Sequence, residues 1–380
     1  MKIVIVGPAF PYRGGIAETT NSLSSALTAR GHDVVIAGFR KQFPKILFPG
    51  KTQFVENKSA RDLPPENMLV PWNPLSYWRT AQFIKSQNPD LICFKWWMPF
   101  FGKAYYWVAK FLNAKSRAKV AFICHNVIPH EKRFGDTILS KMALGRAKYF
   151  LTFSRNEAQE LRELYPNCPQ ENIRFTPLPL FDRYDEFKDG QQAARAKLGL
   201  DAKKLLLFMG LIRQYKGLDI LLRAMKEIVA QDPEVKLVVA GEFYEEQSKY
   251  DTLIDELGLR DHVIVRPGYV PADEIGTYLA AADVNVLPYR SATQSAILVL
   301  AYAHGCPVIT TNVGGLSEVV EEGKTGYVVA PEEPAAIADG VKKFFESGGR
   351  AMFEPNVRAM SEKFSWDRPC EILEEFAKSK

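Results

Sequence analysis

The chain's five cysteines, Cys93, Cys124, Cys168, Cys306 and Cys370, stand far apart and form no CxxC pair. That spacing argues against a zinc site or a disulfide framework and for a reducing compartment. Long apolar runs are missing too, because no stretch of about 18 uncharged apolar residues occurs. The opening "MKIVIVGPAF" is too short in its apolar part for a signal peptide and reads as a buried first strand. The least expected absence lies late in the chain. From Tyr289 to Gly315 there is no Asp or Glu, although this stretch has the pattern of a ligand-binding strand–loop–helix–strand unit.

What is present suits a globular protein of 380 residues, 47% apolar and 24% charged, long enough for two domains with separate cores. The net charge of +5 conceals an asymmetry. Residues 1–180 hold 25 Lys and Arg against 12 Asp and Glu, whereas the remainder holds 24 against 32. The first half is therefore +13 and the second −8, which implies different partners for each, or simply two differently solvated surfaces.

Both halves alternate short β-rich runs with helical patterns, so each is expected to be a parallel sheet covered by helices. Strands are expected at Ile3–Val6, Asp33–Ala37, Leu91–Phe94, Val120–Cys124 and Tyr149–Phe153 in the first half. In the second they are expected at Leu205–Met209, Lys236–Ala240, Val263–Arg266, Val284–Leu287, Pro307–Thr310 and Gly326–Val329. The Pro-rich, charged segment Phe175–Gly190 reads as a linker. The domains expected are residues 1–180 and 186–361, with a terminal helix at about 362–380, capped by Ser365, packing back on the first. Two Rossmann-like sheets whose strand ends face each other would enclose a central cleft.

The loops that follow strands carry the unusual residues. Gly14-Gly15 precedes a helix and could present backbone amides to an anion, or form only a tight turn. Arg213 and Lys216, bracketed by Gly210 and Gly217, suit a diphosphate whose charge grows as it departs. Thr293 or Ser295 can cap a helix starting near Ala296, with free amides beyond the cap. Glu318 is expected in the first turn of a helix after Gly314-Gly315, where it binds a ligand or merely complements the helix dipole. His125 ends a strand and could donate to a sugar or diphosphate, accept a proton, or serve structure alone; His130 is a weaker candidate.

In this order the stretches "RGGIAETTNSLSSALTARGHDV", "GLIRQYKGLDILLRAM", "VVAGE", "GYVPADEIGTYLAAADVNVLP" and "AYAHGCPVITTNVGGLSEVVEEGKTGYVV" resemble the retaining GT-B glycosyltransferases of family 4, the glycosyl transferases group 1. The resemblance implies an α/β fold of two Rossmann-like domains and a hexosyltransferase using a UDP- or GDP-linked donor as co-substrate, with no separate cofactor. It implies metal independence, and no DxD motif occurs to hold a cation. In that scheme Arg213 and Lys216 neutralise the leaving diphosphate. The helix start at Ser295, Ala296 and Ile297 donates amides, Gln294 supplies a neutral polar group, and Gly14 and Gly15 let the backbone approach the donor. Tyr269 or Val270 lines the nucleobase pocket. The chain departs from the family in two ways: Ala292 and Leu300 replace the usual glutamates eight residues apart, and Leu211 takes the place of the arginine after the loop glycine, with Arg213 two residues later.

The acceptor is expected on the first domain, as a glycan or a lipid-linked molecule. The segment Phe94–Val120 interleaves aromatics with lysines, including Lys95, Lys103, Lys110, Lys115, Lys119 and also Arg117. It fits either an anionic membrane surface or a core helix with a wet face. Nothing resembles a nucleic-acid reader. The expectation is a cytoplasmic enzyme, peripheral on the inner face of the membrane if its acceptor is lipid-borne. The rival is a non-catalytic protein of the same fold that binds a nucleotide-sugar or acts as a scaffold.

Overall fold

The computed structural model describes residues 1–44, 52–54, 63–112, 119–127, 134–181 and 184–379. His130, Lys115 and Arg117 lie outside the described residues. The chain divides into two compact units, one formed by Met1–Leu178 with Ser365–Lys380 and the other by Pro179–Phe364.

The first unit begins with β1 (Lys2–Val6), α1 (Gly15–Ala29), β2 (Asp33–Phe39) and β3 (Glu66–Leu69). It continues through α2 (Pro74–Ser86), β4 (Leu91–Trp96), α3 (Gly102–Leu112) and β5 (Lys119–Cys124). Then come α4 (Asp136–Leu144), β6 (Tyr149–Thr152), α5 (Arg155–Leu164) and β7 (Ile173–Phe175). The strands form a parallel sheet ordered β3-β2-β1-β4-β5-β6-β7. β1 and β4 are buried at almost every position because helices cover both faces, which is why they read as continuous apolar runs.

The second unit contains α6 (Gln191–Lys197), β8 (Lys204–Met209), α7 (Leu218–Gln231), β9 (Val235–Gly241) and α8 (Ser248–Glu256). β10 (Val263–Pro267), α9 (Ala272–Ala281), β11 (Val284–Leu287), α10 (Ala296–Ala303) and β12 (Val308–Thr311) follow. β13 (Gly326–Val329), α11 (Pro334–Glu346) and α12 (Arg350–Ser361) complete it. Its sheet is also parallel, ordered β10-β9-β8-β11-β12-β13. Strand order reverses between β1 and β4 in one unit and between β8 and β11 in the other. Open α/β sheets bind ligands beyond the carboxyl ends of their strands at such reversals.

The last helix, α13 (Asp367–Lys378), belongs to the first unit. Phe376 stacks on Tyr149 at 4.9 Å, and Glu374 accepts from Arg30 at 2.8 Å and lies 3.0 Å from His32. Arg30 first and His32 second hold the Glu374 carboxyl down to about 2, from an ordinary 4.5. A depressed acid stabilises the fold fully above its unfolded value and loses that contribution as pH falls through its folded value. Arg30→Met should therefore lower Tm by a few degrees at neutral pH. The gap to wild type should shrink as pH drops from about 4.5 towards 2, as thermal melts across that range would show.

The aromatic segment after Phe94 supplies core. Phe94, Trp96, Phe101 and Tyr105 are fully buried, and Phe94 stacks on Phe122 at 5.1 Å. Lys103 and Lys110 face water. Among the described residues no helix is long and apolar enough to cross a membrane.

Candidate functional site

In the second unit the site residues gather where β8 and β11 end. Beyond Met209 the chain bends at Gly210, and Ile212 bonds to Glu242 beyond β9, its amide 2.8 Å from the carbonyl. A short helical turn, Gln214–Lys216, then leads to Gly217. Gly217 sits at φ +70, and a Cβ there would lie 2.0 Å from the Pro288 carbonyl oxygen, so only glycine fits between β8's loop and β11's.

This turn drives Lys216 inward. Its side chain is buried and its ammonium lies 5.4 Å from the centre of the Tyr289 ring. A Cβ on Gly210 would meet Lys216 Nζ at 3.0 Å and Ile297 at 3.3 Å. The missing side chain of Gly210 thus lets the lysine and Ile297, in the first turn of α10, close against the end of β8. Burial pulls the Lys216 ammonium below its ordinary range; Tyr215 opposes that shift and Arg213 adds to it.

Ser295 caps α10, its hydroxyl accepting from the Leu298 amide at 3.3 Å with Tyr289 Oη 3.4 Å away. The amides of Ala296 and Ile297, at the first two helical positions, have no intrahelical acceptor. A helix tip with free amides beside a buried ammonium has the electrostatics that suit an anion. Arg213 is half-buried, its guanidinium 4.8 Å over the Tyr244 ring at the edge of the same loop.

The other expected contacts are more scattered. Tyr269 is exposed and Val270 half-buried beyond β10, where Gly268 donates to the Gly241 carbonyl at 3.0 Å. Gln294 is half-buried in the loop before α10. The helix expected to carry Glu318 does not form, since Gly314–Val319 make successive turns and Glu318 is exposed on one of them. Gly314 there has φ +51, and a Cβ would fall 1.5 Å from the Ala292 carbonyl oxygen. The turns are locked to the loop before α10 by that contact and by the bond from Gly315 to the Thr293 carbonyl, which leaves no room to wind a helix from Gly315. Ala292 and Leu300, in place of the two acids, are both buried.

One pair was not legible in the sequence. Arg290 binds both carboxylate oxygens of Asp219, at 2.8 and 2.7 Å, and also donates to the Gln214 carbonyl at 2.7 Å. Its own amide donates to Tyr215 O at 2.7 Å. Burial pushes the Asp219 carboxyl up, but Arg290 outweighs it and holds it below the ordinary range. The clamp fixes the turn that carries Lys216. Arg290→Met should cost about 1.5–3 kcal/mol of stability by leaving a half-buried carboxylate unpaired. Urea melts measure that loss, and nucleotide titration should show weaker binding in the same variant.

The first unit assembles its own cluster. Gly14, at φ +107, precedes α1, and Gly15 is the first residue of that helix. His125 follows β5; its ring lies 4.9 Å from Phe153, with Nε2 3.4 Å from the Thr19 hydroxyl. Burial first, then the charge of Lys95, holds the imidazole well below its ordinary range, so it is neutral at physiological pH. Lys95 itself is wholly buried on β4 without a hydrogen-bond partner among the described residues, and burial brings its ammonium down to about 7. Among the described residues no group of His, Cys, Asp and Glu could hold a metal.

Comparison with known proteins places these clusters in a family. The model for glycosyltransferase family 4 matches residues 13–179, and that for glycosyl transferases group 1 matches residues 190–360. A D-inositol 3-phosphate glycosyltransferase of Acidothermus cellulolyticus is 30% identical over 270 residues, 68% of this chain and 59% of that one. A homologue named likewise in Streptomyces scabiei is 33% identical over 56% of this chain and 49% of its own length. The chain thus spans about half the length of the curated relatives it matches. Among solved structures, Anabaena HepE in complex with UDP superposes with a TM-score of 0.77 at 18% identity, covering 99% of both chains. Sucrose-phosphate synthase from Thermosynechococcus elongatus gives 0.73 at 19%, over 99% of this chain and 98% of that one. With two parallel α/β domains, matching family models over both, and GT-B enzymes as structural neighbours, the chain belongs to the GT-B glycosyltransferases of family 4, the glycosyl transferases group 1.

Proposed function

We propose that this chain transfers a hexose from a UDP- or GDP-linked donor to a glycan or lipid-linked acceptor, with retention and without a metal. The observation that carries the reading is the buried Lys216 ammonium beside the free amides of Ala296 and Ile297. As the bond from the sugar's C1 to the diphosphate breaks, its electron pair stays on the phosphate oxygen. Lys216, Arg213 and the helix tip stabilise that growing charge. The acceptor oxygen then closes on C1, its O–H proton passing to the departing diphosphate oxygen or to His125. His125, held neutral, can hydrogen-bond to the sugar or take a proton. Anabaena HepE in complex with UDP and with UDP-glucose makes UDP the first donor to try. A membrane-borne acceptor fits the basic first half, where Trp72, Leu75, Trp78, Phe134 and Ile138 are exposed.

The buried Ala292 and Leu300 favour a second reading, a protein that binds a nucleotide-sugar without turning it over. Incubation with radiolabelled UDP-glucose and GDP-mannose, each with lipid and glycan extracts, separates the two. Transfer of label by wild type and not by Lys216→Ala supports the transferase. Saturable donor binding with no labelled product in any extract supports the binding protein.

A further inference from the structure

The second unit has a further cavity at the opposite end of its sheet from Lys216. His304 ends α10 four residues before β12 begins, so it sits at the sheet's amino edge. A cavity of about 450 Å³ opens there, lined by Glu186, Phe187, Gln191, His304, Glu354 and Arg358 among others. Pockets of that size hold small ligands.

His304 is the unusual member. Its side chain is only 2% exposed, yet among the described residues neither ring nitrogen has a hydrogen-bond partner. Buried polar groups are nearly always partnered, and an unpartnered one calls for an explanation. The ring is held in place by design: a Cβ on Gly276 of α9 would crowd its Cε1 at 3.1 Å, and Arg350 donates to its carbonyl at 3.1 Å. Burial first brings the imidazole down to about 4; Glu186 opposes this, and Arg350 and Arg358 add to it. At neutral pH the ring is therefore uncharged, with one N–H to give and one lone pair to receive.

Of the cations lining the cavity, Lys188, Arg350 and Arg358, the two arginines are already committed to carboxylates. Arg350 and Arg358 both donate to Glu354, and Arg358 also to Glu186. Arginines so neutralised make a poor anion trap, and the carboxylates repel phosphate. A group that can both accept from the imidazole and donate to it is a hydroxyl. Carboxylates and guanidinium beside an aromatic ring, Phe187, likewise suit a molecule rich in hydroxyls and bare of charge.

We propose that this cavity is a second binding site, which takes a single uncharged sugar residue with His304 hydrogen-bonded to its hydroxyls. The site owes nothing to the nucleotide cluster, and its test is independent of turnover. Ring-nitrogen NMR of histidine-labelled protein reports on His304 directly, its signals being those lost in His304→Gln. D-glucose, D-galactose, D-mannose and, separately, inorganic phosphate are each titrated. At least one hexose should move the His304 signals saturably in the millimolar range, and phosphate should not. Ala351→Trp, on the exposed side of α12 at the cavity's lining, should abolish the movement. Signals unmoved by all three hexoses would mean that water alone satisfies the ring. Movement by phosphate alone, or undiminished movement in a folded Ala351→Trp, would equally overturn the site. Should that variant misfold, the wild-type titrations decide.

Discussion

Lys216→Ala should weaken UDP or GDP binding by about a hundredfold or more, the loss expected when one preorganised donor to a phosphate is removed from a site screened from water. That corresponds to about 2.7 kcal/mol. The estimate is large because the ammonium is buried, and its attraction to a phosphate is far less screened than a surface lysine's. Arg213→Ala should cost less, since its guanidinium is half-buried over Tyr244 and more screened. A further mark distinguishes Lys216. Burial already holds its pKa below the ordinary lysine range, and a bound diphosphate favours the charged form. Affinity should therefore be greatest below that lowered value and decline as pH rises through it. Titration calorimetry at several pH values measures both effects, and an unchanged affinity in Lys216→Ala would remove the lysine from the site.

Gly217→Ala should be among the most damaging single substitutions, by about 3 kcal/mol or more. Its added Cβ would overlap the Pro288 carbonyl oxygen, which lies 2.0 Å away, and φ +70 is itself unfavourable for alanine. Gly258 provides the control. It has nearly the same backbone, φ +67, with no atom within 4 Å of its would-be Cβ. Gly258→Ala should cost only the conformational strain, about 1 kcal/mol. Denaturant melts of both variants separate crowding from strain. The crowding account predicts that Gly217→Ala also loses nucleotide affinity, because the strained turn carries Lys216. Equal losses of stability in the two variants would contradict it.

The strands were legible wherever helices bury both faces of a parallel sheet, because such strands become unbroken apolar runs, as in β4 and β8. The two that were missed sit at the edges of the first sheet. β3 is mostly exposed or half-buried and reads "ENML", and β7 is three residues long, so neither has an apolar run to find. The cap at Ser295 could be read locally, since a serine before an apolar stretch starts helices. The clamp between Arg290 and Asp219 could not, because the partners are 71 residues apart and each alone resembles a solvated charge. Glu318 misled because the GGLSE pattern suits a helix start, whereas the turn is decided by Gly314 lying against Ala292. The aromatic segment after Phe94 was open between core and membrane, since amphipathic periodicity alone does not say what covers an apolar face. Lys95 did leave a trace, as a lone charge inside the apolar strand "LICFKW".

A crystal of the chain soaked with UDP or GDP addresses the site most directly. The account predicts the terminal phosphate in contact with Lys216 Nζ and with the amides of Ala296 and Ile297. A nucleotide bound with its phosphates elsewhere, and Lys216 still against Tyr289 with no anion near it, would contradict that assignment.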